Sequence, residues 1–386
     1  MKTKQIISLY SFCFLLFLSG CTSSTESVDV IYFTGTEDSN TVIIAADGAT
    51  AMGMTVTATD LVSTDVKINV QIRSELVDEL NKKTGKSYVA LPDGICSLSA
   101  DNMIIRQGKY MSEQIKLEIA ASSEIEGGIN YCVPISITGI EGGSMSILEA
   151  SRTLYVVVQK PIATRAMDLN NSAYFQVPSF LNNPDVKEMP YVTLECRVMA
   201  KSFQTRNPYI SSIMGIEELF LLRFGDVSID NDQLMLAGGT VTGAGQYQLA
   251  ADFKFSTNRW YHIAAVYTGK SMELYIDGKR AASTEAFQGV IDFTSDWQDG
   301  FHLGRSASDL RRLNGCISEA RVWSVARTGA QLSENMCTVD PTTPGLLAYW
   351  KLDAIDGDNV TDLTGHGHTA VRKAGSFNWV NIKCPE

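Results

Sequence analysis

The chain has 386 residues, 45% apolar and 19% charged, which allows two or three domains with substantial cores. Its formal net charge is −11 and no Lys/Arg-rich stripe interrupts that acidity. This argues against nucleic acid as a partner, because phosphate binding needs clustered positive charge.

The first segment, 1–20, reads as an export signal and stands outside the fold. Lys2 and Lys4 supply the charged end, Ile6 to Leu18 the apolar run, and Leu18-Ser19-Gly20-Cys21 the close. The run is too short to span a bilayer, and no later apolar run is long enough to do so as a helix. The order of charge, apolar run, small residues and cysteine resembles the bacterial lipobox. The resemblance implies lipidation of Cys21, a membrane anchor, and a polar tether over 21–27. In Bacteroidetes-type lipoproteins an acidic cluster after the cysteine favours the cell surface. Only Glu26 supplies acid here, so an outer-membrane lipoprotein facing either the cell surface or the periplasm is expected.

Of eight cysteines, Cys13 belongs to the signal and Cys21 to the anchor. The other six form no C-x-x-C pair, which argues against zinc or redox chemistry. An exported protein can form disulfides. Domain membership allows Cys96 with Cys132 and Cys337 with Cys384.

Residues 28–160 carry short alternating runs. Val66–Ile72 and Ile115–Ile119 each present one apolar and one polar face, as half-buried antiparallel strands do. Tyr131–Ile137 and Leu154–Val158 add two more, and Pro134 suggests that the former lies at an edge or carries a bulge. One helix interrupts them: Ser74 as N-cap, Leu76 and Leu80 on one face, Glu79 spaced to pair with Lys83, and Gly85 as the stop. The expected fold is all-β, an immunoglobulin-like β-sandwich with one short helix. The order "VIYF", "LNKKTGKSYVALP", "LSADNMIIRQGKYMSEQIKLEI" and "GINYCVPISI" is similar to a domain of unknown function. That domain is found at the N-terminus of Bacteroidetes lipoproteins that act on glycans. Its anchors here are Asn81, Gly85, Tyr88, Leu91, Pro92, Gly108, Tyr131 and Pro134.

Residues 161–167 read as a linker, followed by a second domain over 168–384. Within it, Ile263 and Ala265 alternate with His262 and Ala264. Met272, Leu274 and Ile276 line one face of the next strand, and Asp277-Gly278 signals a type I′ hairpin that needs positive φ. Four blocks occur in order: Trp260 to Ala264 ("WYHIA"), "LYIDG", "GCISEARVW" and "AYWKLD", followed by "DLTGHG". They resemble the laminin-G-like, concanavalin-A-like jelly-roll sandwich, with "YVTLECRVMA" as an early strand and Cys196 where that family usually has Ala. The alternation in Ile317–Trp323 predicts Ser318, Ala320 and Val322 on one face and Ile317, Glu319, Arg321 and Trp323 on the other. Charges placed so in a strand call for pairing within the sheet, which makes the stretch a seam of the fold. Thr328 and Gln331 are spaced as a capping box for a short helix, with Leu332 and Met336 packed inward.

The chemistry of the second domain is sparse. His262 and His302 fall in or beside strands and read as satisfied core residues; His366 and His368 lie in a Gly-rich loop, with no acidic residue at i+4. No G-x-S-x-G elbow or phosphate loop is present. Jelly-roll glycosidases carry E-x-D-x-x-E on one strand so that paired carboxylates flank the bond, and that pattern is missing. The acidic loop Asp353 to Asp362 could hold Ca²⁺ through Asp356, Asp358 and Asp362, as laminin-G-like relatives often do. Sugar binding needs aromatic faces beside fixed polar groups. Trp297 with Asp296 and Asp299 meets that need in a polar loop, and Tyr247 and Trp379 are further candidates. The expectation is a lipid-anchored envelope protein that binds glycan without catalysis, serving polysaccharide or glycoprotein-glycan utilisation. A glycoside hydrolase with atypical carboxylates, or an adhesin or assembly subunit with protein partners in the envelope, is the alternative.

Overall fold

The structure is a computed structural model and describes residues 29–37, 39–241, 245–286 and 289–385. The signal segment 1–20, Cys21 and the tether 21–27 lie outside the described residues. Among those described, no helix is long and apolar enough to cross a membrane. Strands dominate and build two separate hydrophobic cores.

The first core lies under a sheet ordered Thr41–Ala45, Thr153–Gln159, Asn130–Glu141, Val66–Ile72, Asn102–Ile105. Two three-stranded sheets share it, one around Val30–Phe33 and one around Ile115–Ile119. Period-two patterning does the work expected of it: Ile115, Leu117 and Ile119 are buried while Lys116 and Glu118 are exposed. Pro134 is not at an edge. Its strand has partners on both flanks, and on one flank Pro134 falls between the partners of Cys132 (Ala90) and Ile135 (Ile72). A proline without an N–H is tolerated in that interval. The bulge comes later, between Ile137 and Gly139.

The helix runs Leu76–Thr84 and ends at Gly85, whose φ of 69° gives the left-handed stop and whose N–H bonds the Asn81 carbonyl. Ser74 is not its cap. Glu75 holds that position without a side-chain bond, and the first turn is closed by the Arg73 and Ser74 carbonyls accepting from Leu76 and Val77. The buried face is Val77 with Leu80 against Tyr88, Cys132 and Val157, while Leu76 is only half-buried.

The second core fills the space between two large sheets. One is ordered Lys279–Glu285, Ser271–Ile276, Tyr261–Tyr267, Val192–Ser202, Asn314–Trp323, Ile162–Asp168, Asn378–Cys384, with Leu346–Trp350 beside Asn314–Trp323. The other is ordered Leu249–Lys254, Gln233–Ala237, Phe220–Phe224, Ser211–Ile216, His302–Leu303, Tyr174–Gln176, Ala370–Ala374, Asn359–Val360. Asp277 and Gly278 turn the hairpin at φ 49° and 73°. The stretch expected as a linker is a strand: Ile162–Asp168 pairs along its whole length with Asn378–Cys384. Exposure alternates over its first four residues before the strand enters the core.

Cys337 and Cys384 form a disulfide with a Cα separation of 5.3 Å. Cys96 and Cys132 do not pair; both are free, Cys132 facing the helix and Cys96 packing against the first core. Glu334, at the end of the short helix Gly329–Glu334, joins the two halves: its carboxylate accepts from Lys86 Nζ at 2.5 Å and Tyr88 hydroxyl at 2.6 Å.

Candidate functional site

The second domain presents two polar outer faces, built from similar residues to different ends. The first lies on the sheet carrying Asn314–Trp323. That strand contains a bulge. Glu195 faces Arg321 and Arg197 faces Ser318, so Glu319 and Ala320 together oppose Cys196. Glu319 takes a φ of 55° there. The bulge overturns the simple alternation: Ile317, Ala320 and Val322 all enter the inter-sheet core, leaving Arg321 and Trp323 on the outside with Glu195.

The charges around Arg321 are buried and paired. Glu195 Oε1 accepts from Arg327 Nη1 at 2.7 Å, Trp323 Nε1 at 2.8 Å and Arg321 Nη1 at 3.2 Å. Glu319 accepts from Arg321 and the Tyr349 hydroxyl. Burial pushes the Glu195 carboxyl up, but Arg321, His262 and Arg327 outweigh it and hold the group below the usual carboxylate range. The helix Gly329–Glu334, closed by the Thr328–Gln331 capping box, covers the network. Arg321 also bonds the Asn335 carbonyl at 2.8 Å, which ties the cover down. Covered by the helix and paired among themselves, these charges form a seam.

The other sheet leaves its outer face open at one end. At the turn Trp297–Asp299, three successive residues have positive φ: Gln298 at 51°, Asp299 at 71° and Gly300 at 82°. Two of these are not glycine, a conformation that costs on the order of 1 kcal/mol or more per residue and persists only when the surroundings enforce it. They do so here. Gln176 and His302 are cross-strand neighbours. The Gln176 amide donates to the Asp299 carbonyl, and His302 Nδ1 donates to the Gly300 carbonyl at 2.9 Å. Arg305 Nη1 lies 3.8 Å from Asp299 Oδ2. Burial, reinforced by Arg305, lowers the His302 imidazole to about 4, so near neutrality it is uncharged and keeps one N–H for that bond.

What this machinery holds outward is Trp297, 48% exposed, between the exposed carboxylates of Asp296 and Asp299. Beside it, Arg305 lies over the Tyr174 ring at 4.8 Å and pairs with Asp309 at 3.3 Å. Farther along the face, Glu217 Oε1 accepts from Arg311 at 2.6 Å and Arg223 at 3.2 Å, and Arg223 also pairs with Asp226. The carboxylates on this part of the face are thus neutralised by guanidinium groups, which suits them to fixing positions and not to proton transfer.

Three of the five residues read from sequence as sugar contacts therefore stand together: Trp297, Asp296 and Asp299. Tyr247 is half-buried against the core. Trp379 is in a strand, not a loop, with Arg165 at 4.1 Å over its ring and Phe377 edge-on at 5.2 Å. Sequence reading missed Tyr174, Gln176 and Arg305; His302 is buried and bonded, as a core residue would be. No local motif marks the first three; they reach the loop only through strand pairing.

The loop read as a calcium site engages the carboxylates of Asp358 and Asp362 separately. Asp362 is buried and accepts backbone N–H bonds from Tyr349 at 3.0 Å, Thr364 at 3.1 Å and His368 at 3.1 Å. Asp358 pairs with Arg372, and Asp356 sits in the tight turn that bonds to Asn359. Among the described residues, no group of three or more His, Cys, Asp or Glu is arranged to hold a metal. His368 is held by Ser179 at 3.0 Å, and His366 by the Leu347 carbonyl at 2.9 Å.

Comparison with known proteins agrees with this architecture. Residues 169–333 match the family model of the concanavalin A-like lectin/glucanases superfamily. The second domain is a laminin-G-like, concanavalin-A-like sandwich. Residues 24–144 match a family model of an N-terminal domain. A candidate carbohydrate-binding protein from Bacteroides ovatus is 26% identical, with a TM-score of 0.52, covering 92% of this chain and 98% of that one. The structure of EndoBT-3987 from Bacteroides thetaiotamicron, with a Man5GlcNAc product, is 14% identical over 34% of this chain and 30% of its own, at a TM-score of 0.29. Pappalysin-1 of Mus musculus is 33% identical over 87 residues, 22% of this chain. The match spans only 5% of that curated relative's length.

Proposed function

We propose that this is a non-catalytic glycan-binding protein of the bacterial envelope, anchored through lipid on Cys21, and that its concanavalin-A-like domain receives the glycan against Trp297. The observation that carries the reading is an exposed indole on a strained turn that three contacts, from Gln176, His302 and Arg305, hold in place. Residues held in sparsely populated backbone conformations cluster at binding sites and ligand clamps, which makes the indole presented by this turn the candidate contact. Flat aromatic faces stack on sugar rings, while Asp296, Asp299 and Arg305 provide acceptors and donors for hydroxyl groups. The Bacteroides ovatus relative, similar along nearly the whole chain, is itself a candidate for carbohydrate binding, which supports the same class of ligand here. The outer membrane, at the cell surface or the periplasmic leaflet, is the proposed location, and service to polysaccharide or glycoprotein-glycan utilisation the proposed role.

The test is a panel of polysaccharides and glycoprotein glycans applied to the mature chain and to Trp297→Ala. Stacking contributes roughly 0.5–1.5 kcal/mol beyond area burial, so the variant should bind roughly two- to tenfold more weakly. Multi-turnover release of reducing ends by the wild type would replace this reading with the hydrolase. Retention of an envelope protein that sugars do not displace would replace it with the adhesin.

A further inference from the structure

The sheet that carries Asn314–Trp323 ends in an open recess of about 770 Å³, within the range of roughly 300–1,000 Å³ common for small-molecule sites. Its walls are the paired strands Ile162–Asp168 and Asn378–Cys384 and the loop at Asp353. Asn378–Cys384 is the last strand of the sheet, so its outer edge has no strand partner among the described residues. Two features point to a ligand. The first is Arg165. Its guanidinium lies over the Trp379 ring at 4.1 Å, and its Nε donates to the Asp353 carbonyl at 2.6 Å, so ring and loop fix the fork. Among the described residues its terminal nitrogens make no hydrogen bond and meet no carboxylate. The Asp353 carboxylate accepts instead from the Thr164 hydroxyl at 3.4 Å. In a chain of net charge −11 such an arginine stands out. Arg223, Arg311, Arg321 and Arg372 of the same domain all have carboxylate partners. The second feature is the row of donors beside it. Arg165 and Asn381 are cross-strand partners, and Lys383 is the next residue along on the same face. Lys383 pairs with Asp47 of the first domain at 2.5 Å, but both side chains are more than half exposed, and a surface pair of that kind is weak.

We propose that this recess is a second binding site, sharing no residue with the Trp297 loop, for a uronate residue within a glycan chain. The carboxylate meets the Arg165 fork, which matches it bidentately. Asn381 bonds a ring hydroxyl, and Lys383 exchanges its surface pair for the ligand. The recess is open along the strand edge, so the chain continues past it in both directions.

Oligogalacturonate is the probe and its methyl ester the neutral counterpart of the same shape, titrated calorimetrically into the mature chain. Oligogalacturonate should bind, and the ester should bind at least tenfold more weakly. Arg165→Gln should weaken oligogalacturonate binding at least tenfold, and Trp297→Ala should leave it unchanged. Arg165 is exposed, so the variant should keep its melting temperature. If the melting temperature falls, Lys383→Ala, exposed on the same face, decides the matter by a loss of several-fold or none. No response to oligogalacturonate, equal binding of the ester, or binding indifferent to both cationic positions would each overturn the proposal. Binding that falls with Trp297→Ala and not with Arg165→Gln would also overturn it, while leaving the glycan reading of the Trp297 face intact.

Discussion

The two outer faces of the concanavalin-A-like domain use the same vocabulary, a tryptophan with arginines and carboxylates around it, yet only one of them is open. Around Trp323 the side chains of Glu195, Arg321 and Arg327 are at most 5% exposed and lie under a capped helix. Around Trp297 the carboxylate of Asp299 is 74% exposed, and the backbone beneath it is strained. The difference teaches that residue type does not separate a seam from a site; cover and the direction of the strain do. In the seam, backbone strain at Glu319 turns charges inward to one another. In the Trp297 loop it turns an aromatic ring outward.

The sharpest way to break the comparison is to remove a charge from the seam. Arg321→Met leaves Glu195 and Glu319 with too few partners in a buried setting, and should cost about 3–5 kcal/mol of unfolding free energy in a denaturant titration. A loss below about 1 kcal/mol would mean that the seam is not held by its ion pairs.

A second effect separates the faces by pH. The His302 imidazole is at about 4 in the folded protein against 6.5 unperturbed. Because the folded value is the lower one, its contribution to stability is complete above about 6.5 and is lost as pH falls towards 4. The loss is on the order of 3 kcal/mol. His302→Gln should remove that part of the acid-side decline in melting temperature, and an identical decline in the variant would show that the imidazole is not buried neutral. Glu195 works in the same direction but at lower pH, since its folded value is depressed below the carboxylate range.

Smaller still is the expected effect of Trp297→Ala on stability, within about 0.5 kcal/mol, as for surface substitutions that leave the core alone. A large loss would place the indole in the fold and remove it from the site. Calcium completes the series. With the Asp362 carboxylate already saturated by backbone donors, millimolar Ca²⁺ should leave the melting temperature unchanged relative to EDTA. A clear rise would restore Asp356 and Asp358 as ligands by mass action.

Much of the fold was legible because apolar periodicity and turn chemistry are local: Val66–Ile72, Ile115–Ile119, the Asp277-Gly278 hairpin and the Thr328 capping box all stand where the pattern places them. Ile162–Asp168 was not, because a short polar-flanked run becomes a strand only by pairing with Asn378–Cys384, more than two hundred residues away. The bulge at Glu319 was invisible for a related reason, since strict alternation carries no sign of an inserted residue. The site divides in the same way. Trp297, Asp296 and Asp299 are adjacent in sequence and could be read together, whereas Gln176, Arg305 and Tyr174 meet them only through the sheet.

The central claim is that Trp297 touches the glycan, and iodide quenching of tryptophan fluorescence tests it most directly. Trp260, Trp323 and Trp350 are buried and Trp379 is covered by Arg165, so quenching should report mainly on Trp297. Saturation with a bound polysaccharide should abolish most of the iodide-accessible fraction in the wild type, a protection that Trp297→Phe cannot show. An accessible fraction unchanged at saturation would contradict the account, because the ligand would then be bound elsewhere.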